Sequence, residues 1–267
     1  MLEFIKLFAA VLFLPLLPVI FCGLAVNVSE KMFLKMTKGF GRGVVIVTSM
    51  IGTPVHELGH AMMCPIFGHR IKKMCLWNPK APNGVLGYVN HTYNRRNIWH
   101  RLGSFFISIG PVLIGLCVIT VVMLICFPST IQEYYLSALS CEAGLSGAFE
   151  MIVECIKMIP LAITDDSMPV WVKIIGCVLI LSVCLHISLS PADIKNSFIG
   201  FPIYALISLG VSLIIFFVSG QSSHEAISVL SRVSFMGFAL YMVVFAGIIL
   251  LLMIGFLCFI IGRLFGR

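Results

Sequence analysis

The chain has 267 residues, 60% of them hydrophobic and 11% charged, with a formal net charge of +7 and a mean hydropathy of +1.07. Soluble globular proteins carry about a quarter charged residues, so the composition excludes a soluble domain and fits an integral protein of the lipid bilayer. The positive charge lies in short loops, pointing to membrane orientation and not to nucleic acid, and the ten cysteines include no CxxC pair that would suggest a disulfide framework or a cysteine zinc site.

Apolar stretches of roughly 20 residues mark the expected spans. The first covers about 4–26; no small-residue cleavage site follows it, so it reads as an uncleaved anchor. The second, about 43–67, contains His56-Glu57-Leu58-Gly59-His60 just past Pro54. Residues 69–101 follow with Arg70, Lys72, Lys73, Lys80, Arg95, Arg96 and Arg101. Within them, 71–77 and 85–93 are β-favouring runs around a turn-rich connection at 78–84, which predicts a hairpin. The third span, about 102–127, holds Gly110-Pro111. Residues 141–166 are apolar but carry Glu142, Glu150, Glu154, Lys157, Asp165 and Asp166, the pattern of an amphipathic interfacial helix. A fourth span, about 170–189, runs into Ser190-Pro191-Ala192-Asp193, and two more follow at about 198–219 and 235–264.

The expected fold is therefore an all-α polytopic membrane protein forming a single domain over 1–267. It has about six transmembrane helices and a small membrane-associated β-hairpin after the second. The basic run at 69–101 argues for a cytoplasmic face, with both termini on the same side. That topology puts eleven Lys/Arg inside, counting Lys6, Lys195, Arg263 and Arg267, against seven elsewhere; Lys31, Lys35, Lys38 and Arg42 fall outside.

Two histidines and a glutamate inside an apolar run are costly, and such side chains at membrane depth are functional candidates. On a helix, His56 and His60 lie on one face and can present both imidazoles to one ion, while Glu57 can reach a water beside it. This is the zincin arrangement, with two ligands, a general base, and room for a third ligand and a water. The metzincin third-ligand position is Ile66, and His69 stands at the wrong spacing. Glu133 and Glu142 come after a full span, at the opposite face. Asp193 is two spans away from the motif and so returns to the same face, with Pro191 opening the helix end before it.

In these places the sequence resembles the site-2 protease family of intramembrane zinc metalloproteases. His56–His60 matches its zinc helix, Ser108-Ile109-Gly110-Pro111 looks like its small-Gly-Pro signature, and Ser190-Pro191-Ala192-Asp193 is similar to its late aspartate motif. The resemblance covers about residues 44–200. It implies one Zn²⁺ held by His56, His60 and Asp193 (the third-ligand motif at about 186–194), Glu57 as catalytic base, and a transmembrane protein as substrate. It also implies that the hairpin presents that substrate. Two positions depart from the pattern. Ile194 replaces a glycine, and Leu185 replaces an asparagine that steadies the reacting carbonyl, with His186 beside it as a substitute oxyanion donor, a competing ligand, or a histidine hydrogen-bonded within the bundle. Outside this family, the readings that remain are a metal transporter, a silent scaffold, or a CAAX-type membrane zincin using a later glutamate ligand.

Overall fold

The computed structural model describes residues 2–80, 85–142, 145–219 and 223–264. The centre of the expected hairpin turn, 81–84, lies outside the described residues. So do Arg267 and the side chains of Lys38 and Arg263, on which the orientation count draws.

The chain is helical apart from one small sheet. Helix α1 (Leu2–Phe13) ends before Pro15, and α2 (Leu17–Ile66) starts with proline in its first turn. Helix α2 is 50 residues long, about 75 Å at the standard rise. The sequence suggested two segments here, ending at 26 and resuming at 43. The helix instead continues unbroken between them. Residues 27–42 contain no proline, and their glycines each cost only about 1 kcal/mol in a helix. Packing on the last helix offsets this: a Cβ at Gly255 of α8 (Ser223–Leu264) would touch Phe33 at 3.0 Å.

After α2 come β1 (Arg70–Cys75) and β2 (Tyr88–Thr92), an antiparallel pair with a bulge between Ile71 and Lys73. The expected hairpin is therefore present. Asn97 then accepts hydrogen bonds from the backbone N–H of Trp99 and His100, capping α3 (Ile98–Cys126). Helices α4 (Pro128–Ser140), α5 (Leu145–Thr164), α6 (Val170–Cys184) and α7 (Pro191–Ser219) complete the order before α8. Helix α5 covers the segment expected to be amphipathic; Met151, Cys155 and Met158 face inward while Phe149, Ile152 and Ile156 are exposed.

Four helical segments are long and apolar enough to cross a membrane: Leu17–Thr37, Ile98–Cys126, Pro191–Val218 and Glu225–Ile260, with Val170–Cys184 a shorter apolar helix. The chain is thus a helical membrane protein with a small two-stranded sheet. Helix α3 is central. It crosses α2 where Gly59 meets Gly110 and Pro111, and crosses α7 where Gly200 meets Arg101 and Phe105. Those two crossings fix the positions of the motif helix and of the start of α7.

Candidate metal centre

The site is built where three helix irregularities meet. The first is the α2–α3 crossing. A Cβ at Gly59 would stand 2.6 Å from the Cα of Pro111, so only glycine lets these backbones touch. At that crossing the Nδ1–H of His60 donates to the carbonyl of Ile107 at 2.7 Å. That carbonyl is available because its usual helical donor, four residues on, is Pro111, which has no N–H.

The second irregularity is the end of α6. The helix stops at Cys184, and residues 187–190 are non-helical, so the carbonyl of His186 has no helical partner to fill it. It accepts the Nδ1–H of His56 at 2.7 Å. Gly52, one turn before His56, allows this approach, because a side chain there would run into the carbonyl of Ser182 and the ring of His186.

The third is the start of α7. Ser190 and Asp193 form a reciprocal cap. The Ser190 hydroxyl and N–H both donate to Asp193 Oδ2, at 2.6 and 3.0 Å, and the Asp193 N–H donates back to Ser190 Oγ at 3.2 Å. Pro191 occupies the first helical position, where its missing N–H costs nothing. The carboxylate is thereby fixed with Oδ1 turned to the histidines.

The three side chains converge. His56 Nε2 and His60 Nε2 are 3.2 Å apart, His60 Nε2 is 3.3 Å from Asp193 Oδ1, and His56 Nε2 is 4.0 Å from Asp193 Oδ2. Both Nδ1 atoms face carbonyls, which only accept, so in the neutral rings both Nε2 atoms are bare lone pairs. Two lone pairs and a carboxylate at this range repel unless a cation lies between them. Tetrahedral ligands about 2.1 Å from zinc stand roughly 3.4 Å from one another, close to the spacing seen. Among the described residues this is the one group of three or more such side chains able to hold a metal ion.

Glu57 is buried beside the group, 7% exposed and within electrostatic range of Asp193. The residue before β2, Gly87, lies against it; a Cβ there would meet the Glu57 carboxylate at 3.0 Å. The ring of His186 is not among the three. Its Nδ1 lies 2.9 Å from the carbonyl of Ser182, and its Nε2 is buried without a partner. His69 stands at the hairpin base, and Glu133 lines a separate cavity of about 320 Å³ with Glu154 and Lys157.

Sequence reasoning missed the Ile107 carbonyl and Gly87. Pro111 was a signal for the first, since a proline inside a helix always frees the carbonyl four residues earlier. Gly87 carried no signal, because its contact depends on how the hairpin folds back along α2. The indole N–H of Trp77 donates to Ser49 at 2.9 Å, which carries the connection two turns past His56. No protein-family model matches the chain, and neither does any curated protein or solved structure.

Proposed function

We propose that this protein is a zinc-dependent intramembrane endopeptidase of the site-2 protease type, hydrolysing peptide bonds of membrane-embedded protein substrates. One observation carries the reading. Two imidazoles have their Nδ1 protons committed to carbonyls and their bare Nε2 atoms brought to 3.2 Å beside a carboxylate, with a buried glutamate next to them. Two neutral nitrogens and one oxygen suit zinc, and three protein ligands leave a position open for chemistry. Bound there, zinc would polarise a peptide carbonyl and acidify a water toward neutral pH.

The residues divide the work. His56, His60 and Asp193 hold the ion, and Ile107 and Ser190 keep two of them aimed. Glu57 accepts the proton of the attacking water and returns it to the leaving amine. His186 acts through its carbonyl on His56. A neutral His186 spends its proton on Ser182, so its Nε2 has none to offer an oxyanion. The unpaired edge of the hairpin supports extended binding of substrate, which must leave its own helix before a peptide bond is reachable.

Helix α6 joins the apolar segments at membrane depth in this reading, whereas Leu17–Thr37 and the motif half of α2 are collinear in one unbroken helix and cannot both span a hydrocarbon core about 30 Å thick. The basic hairpin faces the cytoplasm in this reading; an impermeant thiol reagent that labels Lys80→Cys from outside intact cells would reverse it. A transporter or silent scaffold would keep the metal and lack the reaction, so Glu57→Gln separates these classes. It is expected to retain zinc and lose at least a hundredfold in cleavage of a single-span reporter, whereas Asp193→Asn loses the zinc itself. Full cleavage by Glu57→Gln overturns the protease reading.

A further inference from the structure

A second histidine pair lies beside the metal group. His69 Nε2 is 2.7 Å from the carbonyl of His100, and His69 Nδ1 is 2.9 Å from His91 Nδ1. A carbonyl only accepts, so the proton of neutral His69 is on Nε2 and its Nδ1 is bare. The proton between the rings therefore belongs to His91 Nδ1. His91 is held in its Nδ1–H form, with the lone pair on Nε2, and no described residue pairs with that atom. Stacking of His69 on Tyr93, centroids 4.5 Å apart, fixes the plane of the supporting ring.

The strand places His91 on the side of β2 that faces the motif helix. Side chains alternate along β2, so Gly87, Val89 and His91 share one face. At Gly87 that face meets Thr53 and Glu57. Val89 and His91 are partly buried on it, while Asn90 and Thr92 are exposed on the other. Burial, then His69 and His60, push the pKa of His91 down to about 4, which favours the neutral ring near pH 7.

A peptide drawn out of its helix brings backbone N–H groups that lose their helical acceptors, and away from water each needs another. The hairpin edge can accept those that run along it, and of the two carboxylates near the metal Asp193 is engaged by Ser190 while Glu57 serves as base. We infer that His91 is a substrate-contacting residue of this same site, its bare Nε2 accepting a hydrogen bond from a backbone N–H of the extended peptide, with His69 as the positioning residue that keeps it bare. This rests on the protease reading.

The test uses the full zinc-loaded chain in lipid nanodiscs, with a short peptidyl hydroxamate and its singly N-methylated analogues as probes. In the wild type, one analogue is expected to bind about tenfold more weakly than the parent. In His91→Leu the parent itself weakens by about that factor, and the same N-methyl group then costs nothing more. His91→Gln, which keeps an acceptor, restores the difference. Equal N-methyl penalties in wild type and His91→Leu, at unchanged zinc content, overturn the inference. Nitrogen-15 spectra of labelled histidines give an independent readout: the signals lost in His91→Leu should be those of an Nδ1–H ring, converting toward Nε2–H in His69→Phe. An Nε2–H ring in the wild type also overturns it. A wild type that binds neither zinc nor the hydroxamate overturns the protease reading and this inference together.

Discussion

At the scale of single residues, the site depends on backbone groups left without their ordinary partners. Ile107 offers a carbonyl because Pro111 cannot donate to it, and His60 is oriented by that carbonyl at 2.7 Å. Pro111→Ala supplies an N–H in the position to compete. It should stabilise α3 as a helix while loosening His60. Partners that orient a metal-binding histidine typically contribute tenfold to a hundredfold in affinity. Zinc affinity of Pro111→Ala, read by competition with a chromophoric chelator, is expected to fall by about that factor. An unchanged affinity would mean that the carbonyl does not orient the ring.

At the scale of elements, the hairpin is the part of the site tied to the bundle by polar contacts more than by apolar packing. His69 and His91 join its base to the start of α3, and Trp77 joins its far end to Ser49. Burial, then His69, then His60, push His91 from 6.5 to about 4, and burial also lowers His69. The folded hairpin therefore disfavours the charged rings, and the unfolded hairpin binds more protons between about pH 6.5 and 4. Stability fully present above that window is lost as pH falls through it and levels off below. Amide exchange of 70–75 and 88–92, corrected for intrinsic rates, should show protection falling across the same range. Flat protection from neutral pH to about 4 would show that the two rings are solvated in the folded hairpin.

At the scale of the whole molecule, different features were legible to different depths. The membrane class follows from the scarcity of charge, and the hairpin from two β-favouring runs around a turn. The grouping of His56, His60 and Asp193 was legible because helical spacing sets the first two, and the two apolar runs between them and Asp193 suggest a return of the chain to the same end of the bundle. The unbroken course of α2 was not. Lys31, Lys35, Lys38 and Arg42 look like a loop when hydropathy is read alone, yet nothing there stops a helix. Whether such a stretch turns is decided by what packs beside it, in this case Phe33 on Gly255. The inward face of β2 was likewise hidden, since it depends on Gly87 reaching Glu57.

The carbonyls that hold His56 and His60 also bear on what becomes of the protein when no ion is present. In a zinc finger the metal organises a chain that is otherwise unfolded. Here each imidazole is anchored by its own backbone partner, and the carboxylate is anchored by a helix cap, so the cradle is shaped by folding and not by its cargo. Chelation should accordingly leave the protein folded. Helical content and amide protection of α2, α3 and α7 are expected to stay nearly constant on stripping with a strong chelator. Under the protease reading, activity should return on adding zinc back, with no refolding lag. If the protease reading holds, metal supply then governs activity and not whether the protein stays folded.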